Sequence, residues 1–120
     1  MTLKVDEIQN TSGGAVTLTD QIVPKARVTF NGTGTIAVLD SFNVASIDDD
    51  GTGSYGVNVT NSFDNAYHTP VSTCEAYGNY SATEINQVVA GGINSMRVWN
   101  ASHTTTDTPR VFVLMTGDLA

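Results

Sequence analysis

Apolar residues in this chain alternate with polar or small ones in short runs, and turn-forming residues fall between the runs. "RVTFN" points Val28 and Phe30 to one side, and "TIAVL" does the same with Ile36 and Val38. "SYGVNV" sets Tyr55, Val57 and Val59 on one face, and "MRVWN" separates Met96 and Val98 from Arg97 and Trp99. A period of two is that of a strand with one buried face. Val, Ile and Thr make up roughly a third of the chain, the enrichment expected of strands. "RVFVLMTG" is instead apolar throughout from Val111 to Met115, which predicts a strand covered on both faces.

Turn signals separate these runs: "TSGG" at 11–14, "NGTG" at 31–34, "DDDGTG" at 48–53, "NSFDN" at 61–65, "GG" at 91–92 and "SHTTTDTP" at 102–109. Short strands with frequent turns predict an all-β fold, an antiparallel β-sandwich or jelly roll, over residues 25–120. Residues 1–24 differ in character and read as a short N-terminal arm or hairpin. Its apolar positions Leu3, Val5 and Ile8 have little to pack against in a small sandwich, so a neighbouring copy or a host particle is expected to cover them. One stretch, "SATEINQVVAGG", has Ser81 and Glu84 at capping-box spacing and a Gly pair after it. A single helical turn, a loop and a strand all remain open there, since Val88 and Val89 are β-branched.

The 120 residues fit one domain. Twelve acidic against 5 basic residues give a formal charge of −7. Lys4, Lys25, Arg27, Arg97 and Arg110 are scattered, so neither nucleic acid nor an anionic membrane surface is an expected partner. No run reaches the ~18 apolar residues of a membrane span. The start "MTLKVDEIQN" lacks the basic-then-apolar order of a secretion signal, and synthesis in a cytoplasm-like compartment is expected. Cys74, the only cysteine, reads as a small buried apolar group.

"SIDDDGTGSYGVNV" admits two readings. Asp48, Asp49 and Asp50 before Gly51 resemble the start of a calcium loop. With Gly51 at the sixth loop position, however, the twelfth falls on Val57, where such loops carry a bidentate glutamate. A hairpin tip with positive φ at Gly51 and Gly53 accounts for the same letters, and no metal or other cofactor is expected. The two Gly-x-Gly pieces are not followed by a helix that could cradle phosphate. His68 and His103 have no ligand-pair spacing and read as surface or loop histidines, and no serine lies in a nucleophile elbow. Enzymatic activity is therefore not expected. Tyr67, Tyr77, Tyr80 and Trp99 sit in or near turn-rich stretches beside Asn and Thr, where rings serve saccharide or protein contact. The plainer alternative is that they fill the core.

"KARVTFNGTGTIAVLDSFNVASIDDDGTGSYGVNV", residues 25 to 59, resembles a module common in tail-fibre-like virion proteins of marine bacteriophages of the cyanophage type. Phe30 to Thr35, Ser41 to Val44 and Asp50 to Gly53 match its pieces, and "LKVDEIQNTSGG" is similar to the start that often precedes it. The sequence departs from the module at Arg27, where an aromatic is usual, and between 60 and 95. The resemblance implies a non-enzymatic structural protein on the virion exterior, generally a homotrimer, in contact with other virion proteins. One placement is the tip of a tail fibre or tail appendage, contacting a host surface glycan or protein. The other is a capsid decoration (cement) protein on the shell. Partner contacts are expected in 61–95 and 101–108, including Tyr67, Tyr77, Tyr80 and His103, and attachment to the particle in 1–24.

Overall fold

A computed structural model describes residues 2, 4, 10–12, 23–75 and 82–120. Leu3, Val5 and Ile8 of the expected arm, and Tyr77 and Tyr80, lie outside the described residues. In the part of the arm that is described, the Asn10 side chain accepts the Ser12 N–H (2.9 Å), the local bond of an Asx turn.

The expected antiparallel sandwich forms, with eight strands among the described residues: β1 (Pro24–Asn31), β2 (Ala37–Phe42), β3 (Val44–Gly51), β4 (Ser54–Val59), β5 (Thr69–Cys74), β6 (Ala82–Val89), β7 (Gly92–Trp99) and β8 (Val111–Thr116). One sheet has the order β2-β1-β8-β5 and the other β3-β4-β7-β6. We call them sheet A and sheet B. The core lies between the four central strands, because these carry the strictest alternation. Ala26, Val28 and Phe30 of β1 and Val111, Val113 and Met115 of β8 face Tyr55 and Val57 of β4 and Ile93, Met96 and Val98 of β7. The Phe30 and Tyr55 rings meet edge to face, 5.1 Å between centroids, a favoured aromatic geometry that joins the two sheets.

Ile93 and Met96 are three residues apart yet both buried, because Val57 pairs with Ile93 and Tyr55 with Met96. The extra residue on β7 is a bulge that resets the alternation. At one side of the sandwich, β2 runs into β3 through Asn43, whose φ is 54°. The Asn43 side chain donates to Lys25 O (3.0 Å) and Asn61 O (3.2 Å) and accepts the Asn61 N–H (2.8 Å). An asparagine suits this corner, since it tolerates left-handed backbone and bonds locally. At the other side, β5 and β6 approach through the Thr83 hydroxyl, which accepts from Ser72 Oγ and donates to Ser72 O.

The pairing narrows two sequence expectations and corrects a third. Of the alternatives left open for 81–91, the strand is the one found: Ala82–Val89 is β6, turning into β7 at Ala90–Gly91. Its β-branched residues pair with β7 in register, and that pairing prevails over the capping-box spacing. The stretch 61–95, where partner contacts are expected, contains β5, β6 and the start of β7. "TPVSTC" hid β5 because its proline and polar residues mask the alternation. Strand β8 is covered on one face only: Phe112 and Leu114 are 37% and 36% exposed.

Candidate functional site

The loop between β7 and β8, residues 100–110, is tied down along its length. Asn100 Oδ1 accepts the N–H groups of Ser102 and Thr104 (both 3.0 Å), and Asn100 N donates to Thr104 O (2.9 Å). Farther along, Asp107 Oδ1 accepts from Gly53 N (2.7 Å) and from the buried Tyr55 hydroxyl (2.7 Å). Gly32 N donates to Thr108 O (3.0 Å), and Thr106 N to Val98 O (3.0 Å). One carboxylate thus joins the β3–β4 turn, the core and the loop. Burial, and then the hydrogen bond to Asp107, push the Tyr55 phenol well above its ordinary value of 10.0.

The stretch "SIDDDGTGSYGVNV" is a hairpin. β3 pairs with β4 as far as Gly51↔Ser54, with positive φ at Gly51 (124°) and Gly53 (64°). Asp48 accepts from Asn58 Nδ2 (2.9 Å), and Asp49 Oδ1 accepts the Gly51 N–H (3.2 Å). Among the described residues, no group of three or more His, Cys, Asp or Glu gathers to hold a metal ion.

On the rim of the same end, the His103 ring lies flat on Trp99, 4.6 Å between centroids and 9° between planes. His103 has φ 57°, a region that non-glycine residues seldom occupy. Trp99 Nε1 donates to Glu84 Oε2 (2.9 Å), and the Arg97 guanidinium stands 5.8 Å from the indole centroid. Trp99 and His103, singled out in the sequence, are thus brought together. Glu84 and Arg97 complete the cluster and were missed, because only the pairing Glu84↔Arg97 and Ala82↔Trp99 makes them neighbours. Aromatic faces flanked by fixed polar groups suit contact with a partially apolar, hydrogen-bonding partner.

Tyr67 is elsewhere. It is 91% exposed, so it fills no core, and it precedes β5, whose Thr69 pairs with the far end of β8 at Thr116. It therefore stands at the opposite end of the sandwich from His103, and one contact surface does not include both. His68 beside it lies in the loop before β5, as one of its two readings had it, but is buried against Phe63, 3.9 Å between ring centroids, and is not a surface residue. Cys74 is half-buried against the core, close to its expected role.

A second surface lies on the outer face of sheet A. Pairing aligns Phe42, Arg27, Leu114 and Val71 in one row and Asp40, Thr29, Phe112 and Thr73 in the next. Between β1, β8 and β5 this face forms an open groove of about 400 Å³. The two charges in these rows pair with each other: the Arg27 guanidinium hydrogen-bonds Asp40 and holds that carboxyl below its usual range. The only sequence signal for this surface is the unbroken apolar run of β8.

The fold and these surfaces define an eight-stranded antiparallel sandwich with a rigid loop end and one apolar sheet face. Compared with known proteins, the chain matches no family model, no curated protein and no solved structure.

Proposed function

We propose that the protein is a non-enzymatic structural component of a bacteriophage particle, on its exterior, acting at the tip of a tail fibre or tail appendage in host attachment as a homotrimer. The observation that carries this reading is the polarity of the sandwich. The first described strand begins at Pro24, which pairs with Thr116, at the end opposite the Trp99–His103 stack. Attachment through residues 1–24 then leaves the tied-down loop end pointing outward, toward a host glycan or protein. The resemblance of residues 25–59 to the tail-fibre module supplies the biological setting. Capsid decoration is the second reading, favoured by the apolar outer face of sheet A, which asks for cover along the side of the molecule.

Counting copies on purified particles separates the two placements: a few for an appendage, hundreds for a shell protein. In the first case, particles carrying His103→Ala are expected to load the protein normally and to adsorb poorly to host cells. Normal adsorption by those particles removes the loop end from host contact.

A further inference from the structure

The segment before β5 and the residues after β8 meet at the end of the sandwich opposite His103. Phe63 bridges Leu119, Asp64 N donates to Asp118 O (2.8 Å), and Ala120 N donates to Ser62 O (3.0 Å). This antiparallel bridge sets Asp64 opposite Asp118, and like charges opposite each other destabilise a pair. Among the described residues neither carboxylate has a cationic partner. The two aspartates border a cavity of about 220 Å³, together with Asn65, Tyr67, His68 and Gly117. His68 adds a second unmet group. It is 7% exposed, its ring lies flat on Phe63, and a Cβ on Gly117 would stand 2.6 Å from His68 Cβ, so only glycine lets the chain close against it. Nδ1 lies 3.3 Å from Asn65 O, which can only accept, so the ring hydrogen belongs on Nδ1. Nε2 is then a bare acceptor, buried and without a hydrogen-bond partner. A buried orphan of this kind calls for a donor.

We propose that this cavity binds an aliphatic primary ammonium group, as carried by a lysine side chain or an amino sugar. Both carboxylates and Nε2 need donors, and the pair of aspartates needs a cation. An ammonium group supplies both, as three N–H donors around one compact charge. Tyr67, 91% exposed at the same cavity, adds a ring face for cation–π contact. A metal ion is the poorer occupant, because among the described residues no group of three His, Cys, Asp or Glu gathers to hold one. Size points the same way. Pockets for whole drug-sized molecules start at about 300 Å³, so a smaller one suits the end of a side chain or a single sugar substituent. Whether the sandwich serves at a tail tip or on a shell does not enter this argument.

Titrating the full chain with n-butylamine at neutral pH, read by backbone amide shifts, tests this, with n-butanol as the uncharged control. The amine is expected to move the amides of 64–68 and 117–119 saturably, and the alcohol to move none of them. Asp64→Asn and Asp118→Asn should each weaken the amine about tenfold, the scale of one charge-assisted hydrogen bond. His68→Phe, which keeps a ring against Phe63 and removes the nitrogen, should weaken it too; if that variant does not fold, the two aspartate variants decide. Asp50→Asn removes the same charge at the β3–β4 turn, at the loop end, and should leave binding unchanged. Tighter binding of Nα-acetyl-lysine amide than of glucosamine assigns the group to a protein, and the reverse order assigns it to an amino sugar; either order supports the site. No saturable shift with the amine, equal weakening by Asp50→Asn, or calcium moving these amides where the amine does not, overturns the inference.

Discussion

Tyr55 does more than fill space. Its ring packs on Phe30 across the two sheets, and its hydroxyl donates to Asp107 at the loop end. The folded state keeps this phenol protonated, whereas the unfolded chain releases the proton near 10.0. The folded pKa is raised, so the stabilisation is fully present below the unfolded value and is lost as pH rises above it. Tyr55→Phe is expected to lower stability at neutral pH by about 1–2 kcal/mol, because Asp107 loses one donor but keeps Gly53 N. The same variant should show a shallower alkaline loss of stability than the unmodified chain, in urea titrations at a series of pH values. Equal alkaline slopes would remove Tyr55 as the titrating group.

The β3–β4 hairpin shows how a strand pair absorbs letters that imitate a metal loop. Three aspartates precede Gly51, yet β3 continues through them to its pairing with Ser54. Asp48 and Asp49 spend acceptors on Asn58 and on the Gly51 backbone. Gly53 is held to a narrower requirement than Gly51. A Cβ there would lie 2.5 Å from Thr106 N, so only glycine lets loop 100–110 close against the turn. Folding is accordingly expected to be independent of calcium. A thermal melt with excess chelator should superimpose on one with added calcium, and a lower midpoint with chelator would restore the calcium-loop reading. Strand β6 carries the converse lesson. Its Glu84, placed by spacing at the third position of a helix start, hydrogen-bonds Trp99 across the hairpin instead.

Among the described residues, every buried core hydrophobic falls between Ala26 and Met115. A chain lacking residues 1–12 is expected to keep its thermal midpoint within about 2 °C and to fail to load onto particles. Normal loading would place attachment elsewhere. The local alternation in "RVTFN", "SYGVNV" and "MRVWN" was enough to read an all-β fold and the inward residues Val28, Phe30, Tyr55, Val57, Met96 and Val98, since strand periodicity depends only on near neighbours. Neighbours distant in sequence decided the rest. Pairing with β7 made 82–89 a strand, the chain reversals put Tyr67 and His103 at opposite ends, and the single layer beneath β8 left Phe112 and Leu114 facing outward. An apolar residue records that it needs cover, but not whether its own chain or another one supplies it.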